Sequence, residues 1–298
     1  MKKIFFIFIL LIFTFKNNFL LANENKILFK VNNAIITSID IAKEINYLNL
    51  INKDFKNLKK NKSFEIAKDS LIREKIKEIE LKKVVEELVV DEKLLNNLSI
   101  SYFKKQGVNS ISDFNNFFKR NDIDPNLIKK KITLEILWNQ LIYAKFKQNI
   151  KIDKNQIKKS LLNNNKQKEY LLSEILFNIN DNEKLIEKYE IIKKDINEKN
   201  FSGAAIIHSI SDSVKNGGNI GWVKETFLSP NIKKKLVNLE NGDITSPIVI
   251  PGGFLILKIE NEREVRVIND IDKELEIITK EVANKQLNQF SNIFFNKI

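Results

Sequence analysis

The most informative stretch of this chain reads Asn216-Gly217-Gly218-Asn219-Ile220-Gly221-Trp222. All but one of the eight glycines, and all but one of the four prolines, lie between Gly203 and Gly253. Glycine concentrates where the backbone takes a positive φ or approaches another group closely, and proline where a turn or a helix begins. The concentration predicts one compact, turn-rich module within a chain that is otherwise rich in lysine, asparagine and isoleucine.

The residues around this module predict strand, helix, helix, loop, helix and strand, in that order. The predicted elements cover residues 170–179, 183–197, 201–208, 230–239 and 242–260. This order fits a small α+β sheet domain. The polar run at residues 163–168 precedes it and supplies the clearest domain boundary in the chain.

A helical body is predicted before the sheet domain. Residues 27–36 read as a short hairpin, and Thr37 with Asp40 forms a capping-box pattern that starts a helix. Apolar residues at helical spacing then predict helices over residues 64–89, 91–106, 112–120 and 125–148. A last amphipathic helix, residues 270–295, carries an apolar stripe that we expect to be buried on the N-terminal helices.

The predicted fold class is therefore α+β: a mostly helical N-terminal body completed by a C-terminal helix, plus a small α+β domain. The predicted divisions are a signal peptide (1–22), the helical domain (23–168), the sheet domain (169–262) and the C-terminal helix (263–298).

The N-terminus indicates export. Lys2 and Lys3 precede an apolar run over residues 4–13, and the small residue Ala22 follows. These are the parts of a secretory signal peptide, and the run is shorter than the 20 or so residues that a membrane span needs. An uncleaved signal anchor is the alternative. We expect the mature chain to be periplasmic, without a stable membrane span.

Composition excludes several kinds of site. The chain has no cysteine, which removes disulfides, thiolate nucleophiles and thiolate metal ligands. His208 is the only histidine, so a histidine-based metal site or a Ser-His-Asp triad is not expected. The glycine run fits neither a phosphate loop nor a dinucleotide site, because their accompanying residues are missing. Neither a metal nor a cofactor is predicted.

The net charge of +12 raises the question of nucleic-acid binding. The lysines are spread along the chain and interleaved with glutamates, as residues 73–93 show, and arginine is scarce. No nucleic acid partner is therefore expected. A diffuse positive charge can still favour acidic partners or an anionic membrane surface.

Several motifs of the sheet domain occur in the order found in the parvulin family of peptidyl-prolyl isomerases, which residues 170–262 resemble. The flanking helices and the exported N-terminus make the whole chain similar to SurA-type periplasmic chaperones, which commonly carry two parvulin modules where this chain has room for one. The motifs are Leu172-Ser173-Glu174-Ile175-Leu176, Phe201 with Ala205 and His208-Ser209, Asn216–Trp222, Leu228-Ser229-Pro230-Asn231-Ile232, Asn241-Gly242-Asp243-Ile244, Ser246-Pro247-Ile248 and Gly253-Phe254-Leu255-Ile256-Leu257.

The resemblance assigns family positions to particular residues. The family's histidine of the first strand corresponds to Glu174, and that of the last strand to Leu255. A polar position nearby is occupied by Gly252, and the Cys or Asp of the loop corresponds to Ser211 or Asp212. The resemblance thus implies a catalytic centre from which both histidines are missing.

The apolar wall that holds proline in the family resembles the family pattern more closely than the histidine positions do. Ile220, Leu228 and Ile232 stand where the family has leucine, methionine and phenylalanine. Prolyl isomerisation breaks no covalent bond, so an apolar pocket could lower its barrier of about 20 kcal/mol in part without acid–base chemistry. We therefore expect a proline-tolerant peptide groove with weak or absent turnover.

Three functions remain open from the sequence. The first is a periplasmic chaperone that binds unfolded or extended polypeptides, with outer-membrane proteins as expected clients, and whose isomerase activity is weak or lost. The second is an active peptidyl-prolyl cis-trans isomerase. The third is a non-catalytic envelope scaffold.

Overall fold

The computed structural model describes residues 25–163, 166–180, 183–266 and 271–298. The predicted signal peptide, residues 1–22, lies outside the described residues. In chain order the elements are β1 (Ile27–Val31), β2 (Ala34–Thr37), α1 (Ser38–Ile51), α2 (Lys60–Leu81), α3 (Glu92–Tyr102), α4 (Ile111–Lys119), α5 (Pro125–Phe146), α6 (Lys154–Asn163), β3 (Lys166–Phe177), α7 (Leu185–His208), β4 (Asn219–Lys224), α8 (Pro230–Leu236), β5 (Ile248–Ile250), β6 (Gly253–Arg266) and α9 (Ile271–Phe295).

The body begins with an antiparallel hairpin of β1 and β2, which turns at Asn32 with a φ of 51°. The predicted capping box at the start of α1 is confirmed. The Thr37 amide donates to Asp40 Oδ2 at 2.8 Å, and the Asp40 amide donates to Thr37 Oγ1 at 3.3 Å. The hairpin packs on α1 and α2 through a cluster that includes Ile36 and Ile41.

The core of the body is built around α5, in which Ile128 and Trp138 are fully buried. A group of aromatic rings lies between α3, α4 and α5. Phe118 meets Phe103 and Phe114 edge-on, with ring centroids 4.9 Å apart in both pairs. Such edge-to-face packing adds specific geometry to apolar burial, so it helps to fix how these helices pack.

Buried ion pairs connect three helices of the body. The Lys131 ammonium on α5 lies 2.7 Å from Glu44 on α1 and 2.5 Å from Glu74 on α2. Lys77 on α2 lies 2.8 Å from Glu135 on α5. Burial lowers the pKa of Lys131, but the two carboxylates outweigh this effect and raise the pKa above its ordinary value. These pairs set the register of the three helices, since an unpaired buried charge is costly.

The sheet domain contains an antiparallel sheet with strand order β4-β3-β6-β5. Successive side chains of β6 face opposite sides of the sheet. Ile256 joins the cluster under α7, with Ile192, whereas Leu257 joins the cluster under α8, with Ile232. The predicted fold class, a helical body with a C-terminal helix and a small α+β domain, is confirmed.

The C-terminal helix α9 packs on the body. Trp138 Nε1 donates to Ser291 Oγ at 2.8 Å, and the Trp138 ring lies 5.6 Å from that of Phe294. Phe146 stacks on Phe290 with centroids 5.1 Å apart. The C-terminal part of the apolar stripe of α9 thus packs on α5. Within the described ranges, no helix is both long enough and apolar enough to cross a membrane.

Both central strands are longer than predicted. β3 begins at Lys166, inside the polar run taken as the domain boundary, and β6 extends to Arg266. Polar side chains pair across the extension, as Lys168 does with Glu262 at 2.8 Å, so a polar run can still be strand. The predicted limits of the sheet domain, 169–262, fall inside these strands, and the domain division otherwise stays a prediction.

Three further elements differ from expectation. α2 ends at Leu81 rather than continuing over residues 64–89, because the chain turns there and the Val84 amide donates to the Leu81 carbonyl. α7 joins the two predicted helices across a kink at Asn200, which has a φ of 66°. Residues 242–260 contain the hairpin of β5 and β6 rather than one strand.

Candidate functional site

The glycine run fastens its loop to the first strand of the sheet. Gly218 has a φ of 83°, and a Cβ placed on it would lie 2.5 Å from the Glu174 carbonyl oxygen and 3.0 Å from Ala205 Cβ. The Glu174 amide donates to the Gly218 carbonyl at 2.8 Å. A Cβ on Gly217 would collide with the Ser202 side chain. Only glycine allows the loop to pack this closely on β3 and α7.

Glu174, which occupies the family's first histidine position, lies half-buried on β3. Its Oε1 accepts a hydrogen bond from Ser211 Oγ at 2.5 Å. The segment that carries Ser211 is itself fixed to β3, because the Ile210 amide donates to the Leu176 carbonyl at 2.7 Å and the Leu176 amide donates to Ser209 Oγ at 3.0 Å. The carboxylate therefore has a positioned donor next to it.

The structure places one of the two loop residues that the sequence left open. Ser211 caps the following turn, with its Oγ accepting from the Ser213 amide at 3.3 Å, and it also contacts Glu174. Asp212 begins that turn, but its side chain lies outside what the structure describes. Ser211 is thus the loop residue for which a contact to the site is found.

Two of the predicted proline-wall residues lie together with the second family position. Leu255 is 5% exposed and packs in one apolar cluster with Leu228 (5%) and Ile232 (3%). Leu255 pairs with Leu176 on β3 and with Ile248 on β5. This side of the sheet is therefore closed by core packing in the structure.

Ile220, the third residue of the predicted wall, lies elsewhere. The β3–β4 pairing passes from Leu172 opposite Gly221 to Ser173 opposite Asn219, so Ile220 is the residue of a β-bulge. Its side chain is 38% exposed and lines a cleft that also contains Ile51 of the body. The structure does not place Ile220 in the cluster that buries Leu228 and Ile232.

The C-terminal helix runs beside two of the family positions. Gly252 lies in the turn before β6, where an added Cβ would be 3.5 Å from Asn292 Cβ on α9. Lys285 of α9 interacts electrostatically with Glu174. Much of the Lys285 side chain is exposed, yet desolvation by the surrounding protein lowers its pKa, and the Glu174 carboxylate opposes the change.

His208 contacts Asp195 rather than this centre. Its Nε2 lies 2.7 Å from Asp195 Oδ2, which connects the two segments of α7 across the kink at Asn200. Burial lowers the pKa of His208, and the Asp195 carboxylate partly offsets that shift. Among the described residues, no group of three or more His, Asp or Glu side chains is arranged to hold a metal ion.

Sequence reasoning missed the Ser211–Glu174 pair and the approach of Lys285. Ser211 was one of two open choices, and a close serine and glutamate have no spacing signature when 37 residues separate them. Lys285 is one of three lysines on α9, and nothing in the sequence distinguishes it. Only the packing of that helix along the sheet domain brings it to Glu174.

Residues 174–261 match the Rotamase family model, which is described as a PPIC-type PPIASE domain. Chaperone SurA of Pseudomonas putida is 27% identical over 219 residues, which cover 67% of this chain and 51% of that protein. Chaperone SurA of Pseudomonas fluorescens is 38% identical over 80 residues, or 27% of this chain and 18% of that protein. The aligned residues thus span about half or less of these curated relatives.

Solved structures also match. PrsA from Bacillus subtilis is 19% identical, with 92% of each chain covered and a TM-score of 0.30. A TM-score of this size establishes no shared overall architecture. The family match and the curated relatives agree with the order of motifs around the glycine run. The chain carries a PPIC-type PPIASE domain at residues 174–261 and is similar, over two thirds of its length, to SurA chaperones.

Proposed function

We propose that this protein is a periplasmic chaperone for unfolded polypeptides, and that its PPIC-type domain has weak or no isomerase turnover. The similarity to SurA chaperones supports the first part. One observation carries the second: Glu174 and Leu255 stand at the two histidine positions that the family resemblance assigns, and Leu255 is buried in an apolar cluster with Leu228 and Ile232. Outer-membrane proteins are the proposed clients, because the N-terminal sequence has the parts of an export signal.

The physical chemistry of the reaction supports low turnover. The peptide bond resists rotation because its nitrogen lone pair is delocalised, so catalysis requires groups that favour the twisted amide over the planar one. A donor directed at the amide nitrogen would help to localise that lone pair. The Glu174 carboxylate accepts from Ser211 Oγ and offers no donor in that contact, and Leu255 offers no polar group.

The apolar wall alone offers little room for a proline ring. Leu228 and Ile232 are almost wholly buried in the domain core. A proline side chain could enter between them only if core packing opened, and opening a well-packed core is costly. Binding of extended chain at more accessible surfaces is the simpler role for this domain.

An aggregation assay tests the chaperone role. An outer-membrane protein unfolded in urea is diluted with and without the purified chain, and light scattering is followed. We expect the chain to suppress scattering at near-equimolar concentration. An inert protein of similar size and positive charge is the matched control, because a net charge of +12 alone could affect aggregation. Equal scattering with the chain and with the control would refute the chaperone role.

An active isomerase is the second candidate, because residues 174–261 match a family model of that description. It differs from the first in one result only, which is measurable turnover of a prolyl peptide. A non-catalytic scaffold would show neither suppression of aggregation nor affinity for extended peptides.

A further inference from the structure

A cleft of about 460 Å³ lies where the PPIC-type domain meets the helical body. Asn52, Lys53 and Lys105 line it from the body, and Asn219 and Ile220 line it from the domain. Its volume is in the lower part of the range typical of ligand clefts, so it suits a short stretch of chain. The cleft is separate from the buried cluster around Leu255.

The floor of this cleft is held by hydrogen bonds that occupy its side-chain oxygens. Asp54 Oδ2 accepts from Ser202 Oγ at 2.6 Å, which joins the body to the domain. Asn52 Oδ1 accepts from the Asp54 amide at 2.9 Å. Asn219 Oδ1 accepts from the Gly221 amide at 3.0 Å. Because these oxygens are engaged, the amino groups of both asparagines are left as donors to a ligand.

Two lysines make the same cleft positive. Lys53 and Lys105 are exposed, and neither has a carboxylate partner within the part of the chain that the structure describes. Asp54, the one acidic residue that lines the cleft, accepts from the neutral Ser202 hydroxyl and is outnumbered by the two lysines. Some other exposed lysines of this chain pair with a glutamate three or four residues away, as Lys82 does with Glu78. The two cleft lysines therefore have no described carboxylate partner that would compete with a carboxylate of a ligand.

We propose that this cleft binds an extended, acidic segment of an unfolded polypeptide. Main-chain carbonyl oxygens accept from the asparagine amides, and carboxylates lie at Lys53 and Lys105. An apolar side chain packs on the exposed face of Ile220. The proposal rests on the chaperone role proposed above and names the client chemistry that one surface selects.

The mixture of groups favours a polypeptide over a nucleic acid. Phosphates would also be attracted by the two lysines, but the cleft described here has Ile220 as an exposed apolar group, and no aromatic side chain lines it for a base to stack on. Amide donors next to an apolar side chain match a peptide, in which carbonyl oxygens and side chains alternate.

Fluorescence anisotropy with short labelled peptides tests the proposal on the full chain. Three proline-free peptides share one sequence except at two positions, which are both Glu, both Gln or both Lys. We expect the Glu peptide to bind roughly fivefold more tightly than the Gln peptide, and the Lys peptide most weakly. The preference should shrink as salt screens the charges.

Variants locate the effect. Lys53→Glu with Lys105→Glu should abolish the preference for the Glu peptide, and Lys53→Gln with Lys105→Gln should reduce it. Lys184→Glu with Lys194→Glu, at the exposed N-cap of α7 and at an exposed position on α7, makes the same change in net charge and should preserve the preference. Ile220→Ser should lower the affinity for all three peptides by a similar factor, because it removes the apolar contact that they share. Circular dichroism melting checks that each variant is folded.

Three results would overturn the proposal: equal affinity for the three peptides, an equal effect of the cleft and control variants, or displacement of the Glu peptide by an oligonucleotide at lower concentration than by unlabelled peptide. The aggregation assay separates this proposal from the chaperone role. If the wild-type chain suppresses no aggregation, the chaperone role fails, whereas suppression together with equal peptide affinities rejects only the cleft.

Discussion

Ser211 Oγ donates a hydrogen bond of 2.5 Å to the carboxylate of Glu174. The pair joins the loop before the glycine run to the first strand of the PPIC-type domain, at the position where the family resemblance assigns a histidine. A carboxylate and a hydroxyl at this position suit a structural contact better than chemistry on a prolyl amide, because the hydroxyl hydrogen is already committed to the carboxylate.

The close approach of Gly218 to β3 should make this residue intolerant of a side chain. We expect Gly218→Ala to lower the free energy of unfolding by roughly 3 kcal/mol, since the added Cβ meets the Glu174 carbonyl oxygen and the φ of 83° is unfavourable for alanine. Urea denaturation followed by circular dichroism measures the change. Gly242→Ala is the control: its φ is 99° but no atom lies within 4 Å, so a loss of about 1 kcal/mol is expected. Equal losses would show that the contact is wrong.

Substitution of Leu228 should reduce the stability of the fold far more than substitution of Ile220, although both residues were assigned to one proline-binding wall. Leu228→Ala should lower the free energy of unfolding by about 2–4 kcal/mol, because removing a side chain that is only 5% exposed leaves a cavity in the domain core. Ile220→Ala should cost less than about 1 kcal/mol, because its side chain is largely accessible. Thermal unfolding of both variants checks this. Similar costs would indicate that the two residues share one buried environment.

The contact of α9 with the body should contribute measurably to stability. Phe294→Ala should lower the free energy of unfolding by about 2 kcal/mol, because this partly buried ring packs on Trp138. Ile298→Ala, at an exposed residue just beyond α9, should change it by less than about 0.5 kcal/mol. Tryptophan fluorescence during denaturation reports the change. An effect of Phe294→Ala no larger than that of the control would contradict the packing of α9 on α5.

The His208–Asp195 pair predicts a pH dependence of stability. Burial lowers the pKa of His208 below its ordinary value of 6.5 in the folded state, so the unfolded state binds the proton more tightly. The free energy of unfolding should therefore decrease as the pH falls through 6.5. His208→Gln, which can still donate to Asp195, should remove this part of the slope. Urea unfolding above and below pH 6.5 measures it, and identical slopes in both proteins would contradict the burial of a neutral His208.

The sequence could predict those features whose interacting residues lie close together along the chain. The capping box of Thr37 and Asp40 is local, so its spacing alone predicts the start of α1. The glycine run predicts a turn-rich module because glycine lacks a Cβ and therefore permits positive φ values and close backbone contacts by itself. Leu228 and Ile232 were assigned to one wall by the family resemblance, and in the structure both lie in one buried apolar cluster.

Other features depend on partners that are distant in sequence. Residues 166–168 are predicted to be part of a domain boundary rather than strand, because the pairing of Lys168 with Glu262 on β6 is invisible in a local pattern. The position of Ile220 apart from Leu228 depends on a one-residue bulge, which changes the side of the sheet that a residue faces. The pairing of Glu174 with Ser211 likewise requires the fold.

The claim that the PPIC-type domain binds without efficient turnover is tested most directly by a protease-coupled assay of prolyl isomerisation. The purified chain is added in increasing amounts to a proline-containing peptide, and the rate of the cis-to-trans step is measured. We expect the rate to stay close to the uncatalysed value at every concentration of the chain. A rate that rises in proportion to the chain, and does so equally in the Lys53→Gln, Lys105→Gln variant, would contradict the claim and identify the protein as an active isomerase.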